Sequence, residues 1–575
     1  MHTLSDPSPV ARRVLEERCL RRDDAGEVVE TPTELLERIA TTVAAVEEAY
    51  GSDPTAVDDE FAAMLDSLDF LPNSPVLMNA GTGSNQLAAC FVLPVEDSLG
   101  GIFSTLSDAA LVHQSGGGTG FSFSKLRPRG DVVHETGGVA SGPVSFMRIF
   151  DTATEQIKQG GRRRGANMGV LAASHPDIGE FVAAKRQEGV LRNFNLSVGT
   201  DERFWTAVER GEQYDLVNPR TGEPVDRVDA NELLDGIAAA AWATGDPGVL
   251  FFDTIDAANP TPPLGHIEAL NPCGETPLLP YEACVLGSVN LGHMTTGGEV
   301  DWDHLGRTVR LGVRFLDDTI DACSYPLPAI ETAVTRTRKI GLGVMGFHDM
   351  LVDLGVAYDS DEAVEVAEEV MAFVSDRAWA ASAELADDRG PFPAFDRSTF
   401  RKPVRNATTT AVAPTGTISM LAGCSSGIEP IYGVVVEKHV LGGVELVDER
   451  FVALASEHGF DDESLLDELR DRSSIQDVAK IPADVRRLFQ TSHDVTPARH
   501  LAVQAAFQRH TDNAVSKTVN LPESASTADV REIFVQARAL GLKGVTVFRT
   551  GSRQAQVLGS STAKDACGYE CDGPR

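Results

Sequence analysis

The run Ala269-Leu270-Asn271-Pro272-Cys273-Gly274-Glu275-Thr276-Pro277-Leu278 constrains this chain more than any other stretch. Proline lacks the N–H that a helix needs and clashes with the preceding turn, and glycine loses the most backbone freedom on ordering. The run is therefore read as a rigid loop that carries an amide, a thiol and a carboxylate at alternating positions 271, 273 and 275. On such an extended tip the three side chains could converge on one small substrate. Taken alone, Cys273 reads as readily as an inert thiol in a Pro/Gly turn.

Composition sets the outer limits. The chain has 575 residues, with 85 acidic against 50 basic, a formal net charge of -35. Such a field repels nucleic acid and anionic membranes, so neither is expected as a partner. Only 10 of the basic residues are Lys, and the acidic excess is spread along the chain, which points to a solvating surface suited to a halophilic cytoplasm. Eight cysteines in this length make no disulfide framework, and residues 1–13 lack the apolar run of a signal peptide. No apolar run approaches the roughly 18 residues that span a bilayer.

The pattern divides the chain in three. Residues 1–70 read as helical: Thr31-Pro32-Thr33-Glu34 is a capping box, and Leu35, Leu36, Ile39, Ala40, Val43 and Val46 recur at helical spacing up to Gly51. Residues 71–549 alternate short apolar runs, glycine turns and amphipathic helices, the signature of one large α/β domain. Residues 550–575 read as a flexible tail ending in Cys567 and Cys571.

Some common signatures fall away. Gly341-Leu-Gly343-Val-Met-Gly346 matches a dinucleotide fingerprint, but Arg336-Thr-Arg-Lys339 makes a poor strand before it. There is no P-loop, no HExxH and no four-cysteine zinc pattern, so no metal held by protein side chains is expected. Other stretches are more suggestive. Residues 408–413 have strand character and lead into Pro414-Thr415-Gly416-Thr417-Ile418-Ser419, which reads either as a phosphate-binding turn or as an ordinary helix start. Gly116, Gly117, Gly118 and Gly120 are dense enough to imply close approach of a ligand or a packed helix. Gly160-Gly161-Arg162-Arg163-Arg164 suits phosphates or carboxylates, or a solvated turn. Cys90 and Cys284 each lie in apolar runs, and singly read as core thiols. With Cys273 and the Cys567/Cys571 pair they suggest an internal dithiol recharged by a mobile one.

The loop 271–275, Cys284 eleven residues after Cys273, Cys90 upstream and the turn 414–418 together resemble the catalytic subunit of ribonucleotide reductases, over roughly residues 70 to 550. The resemblance implies an α/β fold, a ten-stranded barrel of two five-stranded parallel halves with the 271–275 loop threaded through it as a finger. It implies that Cys273 carries a transient thiyl radical, that Glu275 takes the substrate's 3′-hydroxyl proton and that Asn271 binds the sugar hydroxyls. Cys90 and Cys284 would protonate the leaving 2′-hydroxyl and supply two electrons. Ser74, Ala89, Gly118, Pro414, Thr415, Gly416, Thr417 and Ile418 would contact substrate, and Cys567 and Cys571 would pass electrons from a thioredoxin-type dithiol.

The source of the radical sorts the family into classes. No tyrosine occurs between Tyr432 and Tyr569, where a partner-fed class would need a pair, and Glu275 is present where the glycyl-radical class lacks a glutamate. What remains is the class that uses adenosylcobalamin, with a class I large subunit as the alternative. The resemblance further implies a homodimer and an effector site for a deoxynucleotide triphosphate or ATP at Asp97, Ser98, Leu99, Ile102, Lys125 and Arg127. Residues 160–164 would be the specificity loop. With little chain before Leu71, no overall inhibition by dATP is expected.

Overall fold

The computed structural model describes residues 2–133, 138–159, 163–187, 189–438, 443–461, 463–470, 472–552 and 558–559. Five strands, β1 (Cys90–Val92), β2 (Gly118–Ser122), β3 (Asn167–Ala172), β4 (Phe194–Thr200) and β5 (Gly248–Phe251), run parallel, each paired with the next. A second set begins with β6 (Ala283–Asn290) and β7 (Ile340–Met345), again parallel. Single parallel bridges, Leu342 to Thr410 and Val412 to Val515, carry it through the 408–412 run to β8 (Thr518–Leu521), which is parallel to β9 (Gly544–Arg549). Counting the 408–412 run as a strand, each half has five.

The halves meet antiparallel at two seams. At one, Ala283 and Cys284 of β6 face Phe91 and Cys90 of β1; at the other, Val249 and Leu250 of β5 face Val545 and Gly544 of β9. The sheet thus closes, which removes the exposed edges that a parallel sheet would otherwise present. This is the ten-stranded α/β barrel that the resemblance implies.

Crossover helices cover the outside, as parallel strands require. Trp302–Ala322, between β6 and β7, is capped by the Asp301 side chain accepting from His304 N at 2.9 Å. It buries Leu305, Val309, Val313, Leu316 and Ile320 at spacings of three and four, a single apolar face laid on the sheet. The Thr31/Glu34 capping box forms on helix Pro32–Ala44, which tightens into a 3-10 turn and stops at Gly51 with φ +79°.

Buried charges key this helical region to the barrel. Glu47 accepts from Arg314 Nε at 2.6 Å and Arg389 Nη2 at 2.5 Å, while Tyr50 Oη donates to Asp321 at 2.7 Å and accepts from Arg405 at 2.6 Å. Asp317 in turn takes Arg338, Arg389 and Arg405. Ions so far from water persist only as a mutually paired set. The arginines hold the Glu47 carboxyl down to about 2 in spite of its burial, whereas burial raises Asp318 well above the carboxylate range.

Candidate active site

The finger is a hairpin whose short strands, Ala269–Leu270 and Pro277–Leu278, pair antiparallel. At its tip Gly274 N donates to Asn271 O at 3.0 Å, closing a four-residue turn with proline second and glycine, at φ +83°, fourth. Proline pre-sets the second position and glycine admits the left-handed one, so this turn is written locally. Asn271 and Glu275, at 0% and 2% exposure, are buried at its base, and Cys273 is exposed at its tip.

Glycines make room for the hairpin. A Cβ on Gly120 of β2 would stand 1.8 Å from Leu270 O, and one on Gly118 would stand 2.9 Å from Pro272 Cγ. Gly120 therefore admits the finger's backbone and Gly118 the Pro272 ring, whereas a Cβ on Gly117 would meet Phe91 and Val112. Asn195 Nδ2 of β4 donates to Pro272 O at 2.7 Å, and Ala514 N donates to Glu275 O at 2.8 Å, so both halves grip the tip. Neither Asn195 nor Ala514 carries a spacing or composition signal, and both were missed in the sequence.

Cys90 and Cys284 are thiols directly opposed across the antiparallel seam. Directly opposed residues of such a ladder have Cα atoms about 4.5–5.5 Å apart and side chains on one face, inside the range that a disulfide bridges. Asn271 Nδ2 lies 3.0 Å from Cys90 Sγ. Burial pushes the Cys284 thiol far up, and the Glu275 and Glu282 carboxylates add to the shift while Lys339 opposes it. Asn271, Glu275, Cys90 and Cys284 thus share one buried site beneath the turn that carries Cys273.

Two supporting groups lie behind it. Glu282 accepts from Leu279 N at 2.8 Å, Thr337 Oγ1 at 2.8 Å and Lys339 Nζ at 2.6 Å, tying the finger's return to β7. On the far side, Thr119 Oγ1 of β2 donates to Asn167 Oδ1 at 2.7 Å, so at 2.9 Å it accepts from His113 Nε2–H. Burial lowers His113 to about 4, keeping the ring neutral in that role.

Gly341-Leu-Gly343-Val-Met-Gly346 is no nucleotide turn. Its first five residues, with Ile340, line up with β7, and a Cβ on Gly343 would meet Ala411 O at 2.3 Å. The strand lies on the motif instead of before it, because Lys339 at its start is buried as an ion pair.

In the 414–418 turn, Thr415 takes φ +56° and its Oγ1 accepts from Gly427 N at 2.7 Å. Residues Ile418–Ala422 form a single helical turn. Ser74 opens the short helix Ser74–Asn79, tied to β6 by Asn73 N to Leu286 O at 2.9 Å, and Ala89 O accepts from Gly118 N at 2.9 Å. The effector candidates gather at the start of helix Leu99–Gln114: Ser98 caps it, Leu99 is exposed, Ile102 is buried, and Arg127 pairs with Asp97 at 2.9 Å. Lys125 pairs with neighbouring Glu96 and with Glu268. Gly160, Gly161, Arg162, Cys567 and Cys571 lie outside the described residues; Arg163 and Arg164 form a two-residue strand against Lys158 and Gln159.

Comparison with known proteins agrees with this geometry. Residues 5–85 match the family described as ribonucleotide reductase, all-alpha domain, and residues 88–404 and 400–548 match the ribonucleotide reductase, barrel domain. The chain belongs to the ribonucleotide reductase large-subunit family. It is 51% identical, over 97% of its length and 81% of the relative's, to a vitamin B12-dependent ribonucleoside-diphosphate reductase of Mycobacterium tuberculosis. It is 44% identical to the protein of that name from Thermoplasma acidophilum, over 96% and 80% of the two chains. The fold is also that of the Actinobacillus ureae class Id ribonucleotide reductase alpha subunit, with a TM-score of 0.78 at 22% identity, covering 95% of this chain and 97% of that one.

Proposed function

We propose that this chain reduces ribonucleoside diphosphates to 2′-deoxyribonucleotides, with adenosylcobalamin as its radical source. The observation that carries the reading is the facing of Cys90 and Cys284 beneath the Asn271–Cys273–Glu275 turn. Reduction replaces the C2′–OH bond by C2′–H and releases water, which takes two electrons and two protons; two thiols becoming one disulfide supply both. Cys273 as a thiyl takes the 3′ hydrogen and returns it at the end. Glu275, buried under the same turn, accepts the 3′-hydroxyl proton, and Asn271 orients the sugar. The high affinity of buried Cys284 for its proton suits a group that must still carry it when the 2′-hydroxyl leaves.

The site fits the cofactor's demands. Cys273 is exposed, and the position of a Cβ on Gly274 has nothing within 4 Å, so a bulky group has access to the tip. When bound, adenosylcobalamin supplies the radical that turns the Cys273 thiol into a thiyl. Relatives carrying the vitamin B12-dependent name support this choice.

Substrate contacts are assigned to Ser74, Ala89, Gly118 and the 414–418 turn. The chain works as a homodimer: Leu99, Phe103 and Leu111 of helix Leu99–Gln114 are exposed, with Ile149 of the adjoining helix Pro143–Gln156. The Asp97–Arg127 effector site lies at the end of that surface, where a bound nucleotide can act on the 160–164 loop through linkage. Electrons come from a thioredoxin-type dithiol through Cys567 and Cys571. Among the described residues no helix is long and apolar enough to cross a membrane, and the reading places the enzyme in a halophilic cytoplasm.

The test is turnover of CDP by the purified chain alone, anaerobically in high salt with dithiothreitol, with and without adenosylcobalamin. Deoxynucleotide formed only with the cofactor, and abolished in Cys273→Ala, supports the reading. Intact CDP binding without turnover overturns it in favour of a class I subunit lacking its radical-generating partner.

A further inference from the structure

The substrate turn carries a cation from the opposite end of the chain. Arg18 lies in a π-helical turn, Leu15–Cys19, and its Nη1 donates to Thr417 Oγ1 at 3.1 Å across 399 positions of sequence. The contact is built in from below: Val14 and Leu15 are fully buried, and helix Pro9–Val14 packs on Ile418–Ala422. Arg18 itself is half-buried, where a guanidinium acts on a neighbouring anion through less screening than at a bare surface.

The polarity of the hydroxyls points the same way. A threonine hydroxyl offers one hydrogen and two lone pairs. Thr417 Oγ1 receives Arg18, and Thr415 Oγ1 receives Gly427 N at 2.7 Å, so each oxygen is engaged as an acceptor and each hydrogen is left to donate. Two hydroxyl donors on the turn and a planar guanidinium bonded to one of them match the acceptor oxygens of a phosphate. Charge distribution agrees: residues 12–22 hold Arg12, Arg13, Arg18, Arg21 and Arg22 against Glu16 and Glu17, a net +3 in a chain whose net charge is -35.

We infer that Arg18 is a substrate-binding residue, the counter-charge for the terminal phosphate of the ribonucleotide, supplied to the barrel by the N-terminal helical region. This rests on the reading of the 414–418 turn as the substrate's phosphate site. Arg18 would bind the phosphate with Thr415 and Thr417, and the basic 12–22 segment would draw anionic nucleotide towards the site in an otherwise repulsive field.

The experiment compares the wild-type chain with Arg18→Gln, Arg18→Lys and Thr417→Val, measuring KM and kcat for CDP and inhibition by inorganic pyrophosphate and by cytidine. Loss of a charged hydrogen bond predicts a KM for CDP raised about 10- to 100-fold in Arg18→Gln, with Arg18→Lys intermediate. Pyrophosphate inhibition should weaken in parallel, kcat should stay within about twofold, and cytidine, which has no phosphate, should inhibit unchanged. Unchanged KM and pyrophosphate inhibition in Arg18→Gln, while the wild type turns over CDP, overturns the role of Arg18 and leaves the proposed function standing. Failure of the wild type to bind or turn over CDP sinks both. If Arg18→Gln does not fold, Arg18→Lys and Thr417→Val decide, since the inference requires both to raise KM for CDP without altering cytidine inhibition.

Discussion

Cys90 and Cys284 stand directly opposite one another where the two half-barrels meet antiparallel. At such a seam strands from different halves present facing thiols, whereas the strands within each half run parallel to one another. The proposed chemistry therefore depends on the topology that closes the barrel. Pre-reduced enzyme given substrate without external dithiol should yield about one deoxynucleotide equivalent from the internal pair, up to about two per chain once Cys567 and Cys571 also discharge, and a Cys90–Cys284 disulfide in peptide mapping. Cys90→Ala and Cys284→Ala should each abolish this stoichiometric burst; a burst retained in either would exclude the pair as electron source.

Gly120→Ala tests the seat of the finger. A methyl 1.8 Å from Leu270 O forces the hairpin to move, and overpacking of this type costs about 1–3 kcal/mol or more. Denaturant unfolding should show that loss, and deoxynucleotide formation should fall by a larger factor than stability explains, because Asn271 and Cys273 shift with the loop.

Asn195→Ala separates positioning from folding. It removes the 2.7 Å bond to Pro272 O at a cost of about 1 kcal/mol in stability. The chain should stay folded and bind CDP normally while kcat drops severalfold. An unchanged kcat would mean that Ala514 alone holds the tip.

Lys339→Met should be among the most damaging substitutions outside the thiols. It strands the Glu282 carboxylate, whose side chain is 1% exposed, and breaking a buried pair in this way costs about 3–5 kcal/mol. Adding Glu282→Gln should recover part of the loss in a denaturant series, since the charge left behind is then gone.

Acid should destabilise the fold through His113. Its folded value, lowered by burial to about 4, lies below the ordinary 6.5, so between those two values the unfolded chain binds the extra proton. Stability is full above the ordinary value and falls as pH drops towards 4, by up to ~3 kcal/mol for this residue. Denaturant midpoints at pH 7.5 and about pH 5 should differ less in His113→Gln than in the wild type; an equal difference would assign the acid sensitivity elsewhere.

Much of this molecule could be read before any coordinates. The Thr31/Glu34 capping box, the stop at Gly51 and the tight turn at 271–274 are local, since capping bonds and backbone preferences are satisfied within a few residues. The order of loop, cysteines and turn carried the family resemblance, and with it the barrel. Periodicity by itself reached only an α/β domain, because continuous apolar runs do not say which strand pairs with which.

What the sequence by itself determined is the set of reactive groups and the local shapes that present them: a rigid Pro-Cys-Gly tip, glycines where backbone must pass, and a basic stretch in an acidic chain. Only the tertiary structure decided which distant groups meet. Cys90 faces Cys284 through strand register, Asn195 and Ala514 grip the tip through barrel closure, and Arg18 reaches Thr417 through packing of the first helix. The physical reason is that such contacts are fixed by the burial of whole apolar faces. A single asparagine or arginine leaves no periodic trace of the partner that burial will bring to it.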